Sequence, residues 1–265
     1  MKKTTIIVGA MLASLSFTPA QAAETKSLVI IDSYFDSRVI NNNVTCIDLQ
    51  SNPCTNIVTK IPTSLSDNIN HGDAMVEVAK KQNASLSIIA LRSGNASASS
   101  VSDVNAGNFI EALTWVSKNT SKVSAVSISR YFNGTKDCTP SSTNTAAYGG
   151  VSKADETIRK MITQLKQSGI KIFASTGNTR GTKVSYPACI LDTESVSVGA
   201  INKTGLFVSG FAADTNTDYF ATSLVYSYRS NIFGLIPNTT SAGNAAVAAR
   251  YVSGLLDTKF VSVVQ

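Results

Sequence analysis

Short apolar segments alternate with amphipathic segments along most of this 265-residue chain, and no other feature of the sequence limits its possible folds as strongly. The apolar segments are short or rich in β-branched residues, as in strands that are covered on both faces of a sheet. Strand and helix in repeated succession predict one α/β domain, with a doubly wound, mostly parallel sheet and helices on both of its faces. The predicted strands span residues 26–31, 85–91, 123–129, 170–175 and 195–200.

Four further segments have the character of amphipathic or buried helices. In the third of them, an apolar stripe that includes Ile158, Ile162 and Leu165 would face the sheet. We expect Ser152 to cap the start of this helix and Gly169 to end it. The fourth is rich in alanine, so it should pack closely against its neighbours. The predicted helices span residues 71–82, 104–118, 153–168 and 242–256.

Residues 1–22 have the composition of a secretory signal peptide. Lys2 and Lys3 precede a short apolar run, and small residues surround the cleavage position that we expect after Ala22. We therefore expect an exported protein, periplasmic or secreted, with one domain over residues 23–265. The apolar run is too short for a membrane span, and no later segment approaches the roughly 20 apolar residues of a transmembrane helix.

The four cysteines are an even set in a chain that is predicted to be exported, and this favours two disulfides over free thiols. Three pairings are possible. We favour Cys46 with Cys54, which closes a short loop, and Cys138 with Cys189, which joins distant segments. The sequence contains no CxxC motif, and its single histidine is not near a cysteine, so we expect no zinc site.

Charge and motifs exclude several function classes. The net charge is +6, but no cluster of Lys and Arg residues lies on a stripe with aromatic residues, so we expect no nucleic-acid partner. GxSxG, GxGxxG, P-loop and HExxH motifs are absent, which argues against α/β-hydrolases, nucleotide enzymes and zincins. Residues 214–218 alternate oxygen ligands as a calcium loop does, but Tyr219 and Val225 replace its glycine and glutamate. We expect a solvated turn there and no metal or other cofactor, with calcium as the weaker alternative.

Candidate catalytic residues fall at ends of the predicted elements, where active sites of doubly wound sheets gather. Asp32 ends the first strand, His71 opens the first helix, Ser241 opens the last helix, and Asn178 follows the fourth strand. A serine nucleophile needs a base, an imidazole base needs a carboxylate, and an amide can donate to an oxyanion. His71 is the chain's only histidine, so any imidazole chemistry must use it. The simpler roles are a helix cap at Ser241 and a turn at Asn178.

The order Asp, His, Ser and the segments around these residues resemble the subtilisin-like serine proteases (subtilases) over about residues 27–256. The matching segments include Ile31-Asp32-Ser33, His71-Gly72, Val126-Ser127-Ile128-Ser129, Thr176-Gly177-Asn178 and Thr240-Ser241 before the alanine-rich helix. The resemblance implies a triad of Asp32, His71 and Ser241, with Asn178 as an oxyanion donor. It also implies that the substrate binds along Val126, Ser127, Ile128, Ser129, Arg130, Tyr131 and Gly177.

The resemblance implies a serine endopeptidase that acts on peptides or proteins, and the predicted signal peptide implies that it is exported. Tyr34 and Asp73 replace the glycine and threonine that the family prefers, and Ala242-Gly243-Asn244-Ala245 replace its Met-Ala-Thr-Pro. Arg130 and Tyr131 are bulky where the family has small residues, so we expect narrow specificity.

Two alternatives remain open. The catalytic domain would begin almost at the mature N-terminus, which is similar to the layout of the subtilase cytotoxin A subunit. The chain would then be a toxin subunit that acts on a host protein, with a B-type partner. The altered surroundings of Ser241 instead favour a binding module with weak or lost cleavage.

Overall fold

The computed structural model describes residues 26–32, 35, 43–49, 71–93, 106–129, 138, 150–178, 184–190, 195–200, 217–222, 228–230, 234–236, 240–256 and 260–262. This part of the chain forms an eight-stranded sheet, a separate two-stranded antiparallel ribbon and four α-helices. Every neighbouring pair in the large sheet is parallel, so the predicted α/β fold is confirmed. Within these residues no helix has both the length and the apolar character needed to cross a membrane.

The described strands and helices are numbered in chain order. The strands are β1 (Ser27–Asp32), β2 (Val44–Asp48), β3 (Ile88–Arg92), β4 (Val123–Ile128), β5 (Lys171–Ser175), β6 (Ser195–Ala200), β7 (Tyr219–Thr222), β8 (Tyr228–Ser230), β9 (Gly234–Ile236) and β10 (Phe260–Ser262). The helices are α1 (His71–Gln82), α2 (Ala106–Lys118), α3 (Val151–Gln167) and α4 (Thr240–Val252), and a short 3-10 helix spans Thr120–Lys122. The sheet order is β10-β7-β6-β5-β4-β1-β3-β2.

The predicted elements overlap observed ones, and the helix at 71–82 and the strand at 195–200 have the observed bounds. The strands β2, β7, β8, β9 and β10 were not predicted. Two expected helix starts are wrong: Gly150 precedes α3 with no side-chain cap, so Ser152 is its second residue, and α4 begins at Thr240, before Ser241. Gly169 follows the end of α3 with a φ of 79°, a left-handed conformation that favours glycine.

Hydrophobic side chains pack on both faces of the sheet because side chains alternate along each strand. On one face, Leu28 and Ile30 of β1 join the core with α1 and α4. On the other face, Val29 and Ile31 join the core with α2 and α3. Asp32 comes next in this alternation, so its side chain lies on the face that α1 and α4 cover.

A polar network attaches α3 to the segment around Tyr186. Tyr186 is buried, and its hydroxyl donates a hydrogen bond of 2.9 Å to Asp155. Burial, followed by the charge of Asp155, raises the pKa of Tyr186 above its ordinary value of 10.0. Arg159 donates to both oxygens of Asp155 and to the carbonyl oxygen of Cys138. The predicted disulfide between Cys138 and Cys189 closes beside this network, with Cα atoms 5.8 Å apart.

The other predicted disulfide is described at one end. Cys46 in β2 is disulfide-bonded. Cys54, its expected partner, lies outside the described residues, so this pairing stays a prediction.

Candidate active site

β1 marks the point at which the strand order of the sheet reverses, since β3 and β2 lie on one side of it and β4 to β7 on the other. In parallel α/β sheets, the crevice that holds ligands opens at the carboxyl ends of the strands beside such a point. Asp32 is the last residue of β1, and Ser129 directly follows β4. Both side chains are almost completely buried at this edge, which makes it the candidate site.

Asp32 and His71 are joined by a hydrogen bond of 2.6 Å between Asp32 Oδ2 and His71 Nδ1. His71 is the first residue of α1, and its side chain is 20% exposed, whereas the carboxylate is fully buried. An ionised carboxylate can only accept, so a neutral imidazole bonded to it carries its hydrogen on Nδ1 and has a lone pair on Nε2. The structure therefore brings together two of the three predicted triad residues, in an arrangement that leaves Nε2 of a neutral imidazole available to act as a general base.

Ser241 lies in the first turn of α4, which packs against α1. Its hydroxyl donates a hydrogen bond of 2.8 Å to the carbonyl oxygen of Ser129, and Ser129 Oγ donates one of 3.0 Å to the carbonyl oxygen of Ser241. Among the described residues, the Ser241 hydroxyl is thus bonded to the end of β4 and not to His71. Rotation of the Ser241 side chain about its Cα–Cβ bond to another staggered rotamer would turn the hydroxyl away from Ser129.

The amide of Asn178 has a defined orientation. Its Oδ1 accepts hydrogen bonds from Thr240 N at 3.0 Å and from Thr240 Oγ1 at 2.9 Å. Thr240 Oγ1 in turn accepts from the N–H of Gly177 at 3.2 Å, so its own hydrogen is directed to Asn178. Gly177 has a φ of 108°, which favours glycine. Within the described residues Nδ2 of Asn178 donates to no acceptor, and Asn178 is exposed, so an oxygen that enters the site from solvent can accept from it.

β4 and Ser129, the residue directly after it, supply four of the residues predicted to line a substrate cleft. Val126 and Ile128 are completely buried in the core beneath α2 and α3. Ser127 and Ser129 alternate with them, so they lie on the face that α4 covers. Any contact of Val126 or Ile128 with a ligand on that face would therefore use the backbone. Two further predicted residues lie outside the described part of the chain, Arg130 and Tyr131.

Two residues of α4 at this site were not assigned roles from the sequence. Thr240 orients Asn178, and Asn244 is completely buried against the carboxyl end of β4 and the middle of β5. The Thr-Ser dipeptide before the alanine-rich helix was a signal for Thr240. Asn244 could have been noticed because it is a polar residue among alanines, about one helical turn after Ser241.

Metal binding has little support in the part of the chain that the structure describes. There, no three or more His, Cys, Asp or Glu side chains are grouped so as to hold a metal ion. Of residues 214–218, only Thr217 and Asp218 are described, and Asp218 accepts two hydrogen bonds of 2.8 Å from the N–H and Oγ of Ser197. This carboxylate therefore links β6 to the start of β7, and the expectation that no cofactor is needed stays a prediction.

The molecule is a doubly wound α/β protein with a candidate nucleophile site at the switch point of its parallel sheet. There, His71 is bonded to the buried carboxylate of Asp32, and Ser241 lies at the N-terminus of α4. The fold is subtilisin-like. A cold adapted subtilisin-like serine proteinase aligns with 90% of this chain and 78% of its own, at 16% identity and a TM-score of 0.56. The prenylagaramide maturation protease PagA aligns with 85% of this chain and 74% of its own, at 16% identity and a TM-score of 0.54. No protein-family model and no curated protein sequence matches the chain.

Proposed function

We propose that this protein is an exported serine endopeptidase that hydrolyses peptide bonds with Asp32, His71 and Ser241. The observation that carries the proposal is the 2.6 Å hydrogen bond between Asp32 and His71. It joins the chain's only histidine to a buried carboxylate at the edge of the sheet where active sites form. The subtilisin-like fold supports the same proposal, since both structural neighbours named above are proteases.

In the proposed reaction, His71 Nε2 accepts the proton of Ser241 Oγ as this oxygen attacks the carbonyl carbon of the scissile bond. Asp32 stays ionised and stabilises the imidazolium through Nδ1. The oxyanion accepts hydrogen bonds from Nδ2 of Asn178 and from the backbone N–H of Ser241, beside the positive end of the α4 dipole. His71 then gives its proton to the leaving amine. Water repeats the sequence on the acyl-enzyme and releases the second product.

The substrate would be an extended peptide that forms backbone hydrogen bonds beside the end of β4. The carbonyl oxygen of Ser129 is one acceptor at this place, and it now accepts from the Ser241 hydroxyl. A peptide N–H that took over this acceptor would release the hydroxyl towards His71. The bulk of Arg130 and Tyr131, which follow in the sequence, motivates the proposal of narrow specificity.

One observation favours a second candidate function. The hydroxyl of Ser241 is bonded to Ser129 instead of to His71, as expected if the fold serves as a binding module with weak or lost cleavage. A toxin A subunit with a B-type partner and export from the cell stay predictions from the sequence.

Digestion of a complex peptide mixture tests the proposal. The protein lacking residues 1–22 is incubated with the mixture, and new peptide ends are identified by mass spectrometry. We expect cleavage at a small set of related sites that disappears in Ser241→Ala and His71→Ala. Ser168→Ala is the matched control, because Ser168 is exposed after the end of α3. Absence of cleavage, or cleavage that persists in Ser241→Ala, would contradict the proposal and favour the binding module.

A further inference from the structure

A buried amide attaches the first turns of α4 to two strands of the sheet. Asn244 is completely buried, and its Nδ2 lies 3.1 Å from the carbonyl oxygen of Ile128 and 3.3 Å from that of Phe173. A backbone carbonyl oxygen can only accept, so β4 and β5 each offer one backbone acceptor to this NH₂ group. β4 leads to Ser129 and β5 leads to Asn178. Asn244 thus joins the helix of the proposed nucleophile to the two strands that lead to Ser129 and Asn178.

The same amide reaches the residue that holds the nucleophile. Nδ2 of Asn244 is 3.3 Å from Ser129 Oγ, and Ser129 exchanges two hydrogen bonds with Ser241. Nδ2 is also 3.0 Å from Ser127 Oγ in β4, so its two hydrogens are shared among four acceptors. These contacts form one network between the first turns of α4 and the end of β4. A displacement of α4 along or about its axis would weaken all of them together.

The apolar contacts of α4 do not define its position as sharply as these hydrogen bonds do. The side chains that it contributes to the core are mainly alanine methyl groups, and apolar burial is non-directional. Oδ1 of Asn244 is buried without a hydrogen-bond partner in the described residues. A buried acceptor that is unsatisfied lowers stability, so an aliphatic residue would suit packing alone better than asparagine does.

We propose that Asn244 is a positioning residue, which sets the position of the Ser241 nucleophile relative to Ser129 and Asn178 by holding α4 against β4 and β5. The inference rests on the proposed function, and it adds a residue that acts through the nucleophile's helix without touching the substrate. Because reacting groups must be placed within a fraction of an ångström, loss of the amide should slow the chemical step.

The test is the rate constant, per active site, with which a fluorophosphonate probe labels Ser241 in the protein lacking residues 1–22. We expect Asn244→Ala to react about tenfold to 10²-fold more slowly, and Asn244→Thr to be intermediate because threonine has one donor. Asn83→Ala is the matched control. Asn83 Nδ2 donates a hydrogen bond of 3.0 Å to Ser253 Oγ, which attaches the opposite end of α4. This variant should keep the wild-type rate constant.

The outcomes separate the two proposals. A purely structural role of Asn244 predicts a lower melting temperature and a smaller labelled fraction with an unchanged rate constant, and this result would overturn the inference. It would leave the proposed function intact, because the wild type would still be labelled. If Asn244→Ala does not fold, a wild-type rate constant in Asn244→Thr overturns the inference equally. A wild-type protein that takes up no label overturns both proposals.

Discussion

Replacing Thr240 with valine isolates the side-chain contact that orients the proposed oxyanion donor. The two residues have nearly the same shape, so Thr240→Val removes the 2.9 Å hydrogen bond to Asn178 Oδ1 and keeps the 3.0 Å bond from the backbone N–H. Complete loss of an oxyanion donor costs about 10²–10³-fold in kcat in other enzymes. With one of two anchoring bonds left, we expect kcat to fall about tenfold, which corresponds to about 1.4 kcal/mol.

The same substitution also has a stability effect that can be measured separately. The buried N–H of Gly177 loses the acceptor that it has at 3.2 Å in Thr240 Oγ1. A buried donor without a partner costs about 1–3 kcal/mol, so the free energy of unfolding should fall by this amount. Thr240→Ser keeps the hydroxyl and is the matched control for both effects.

Steady-state kinetics on a cleaved peptide, combined with urea denaturation, would measure the two effects. We expect kcat to fall with little change in KM, because the oxyanion forms only in the transition state. In an Asn178→Ala background, Thr240→Val should have almost no further effect on kcat, since Thr240 acts through this amide. Equal losses in both backgrounds, or a wild-type kcat in Thr240→Val, would refute the reasoning.

Three further predictions concern stability. Gly243→Ala places a Cβ 2.8 Å from Ala221 Cβ, so the free energy of unfolding from urea denaturation should fall by about 1–3 kcal/mol and recover when Ala221→Gly is added; an unchanged value would contradict the close packing of α4 on β7. Burial raises the pKa of Tyr186 above 10.0, so its hydroxyl loses the proton at a lower pH in the unfolded chain than in the folded protein. The contribution of Tyr186 to the free energy of unfolding is therefore fully present below about pH 10 and declines above it. In Tyr186→Phe, the free energy of unfolding measured by denaturation should decline less steeply above this pH. An equally steep decline in the variant would show that other groups cause it. Serine at both Cys138 and Cys189, 51 positions apart, should lower the free energy of unfolding by up to about 4 kcal/mol, and a loss below about 1 kcal/mol in thermal or urea unfolding would contradict this.

Central strands of the sheet could be predicted because strands that are buried on both faces have continuous apolar sequences. β1, for example, is buried along its whole length and reads as a continuous apolar run before Asp32. β2 escaped prediction because it is a five-residue edge strand in which Thr45 is exposed and Asp48 ends the strand, so it forms no continuous apolar run. β7 and β10 are four and three residues long, too short to give a periodic signal.

Residue types at the candidate site and the pairing of Asp32 with His71 could be predicted from the sequence, but the other contacts could not. Asp32 and His71 end or begin elements that the pattern predicts, so their meeting at one edge of the sheet follows from the fold. The contact of Asn178 with Thr240 joins residues 62 positions apart, and that of Asn244 with Ser127 joins residues 117 positions apart. Such contacts depend on the packing of α4 against the sheet, which no local pattern encodes.

Covalent labelling of Ser241 is the decisive test of the proposed triad. The purified protein lacking residues 1–22 is treated with a fluorophosphonate probe at neutral pH, and the modified residue is located by tandem mass spectrometry. We expect one adduct, on Ser241, that is absent in Ser241→Ala and forms at least about 10³-fold more slowly in His71→Ala. A protein that takes up no label, or an adduct that persists in Ser241→Ala, would contradict the proposal that Ser241 is a nucleophile activated by His71 and Asp32.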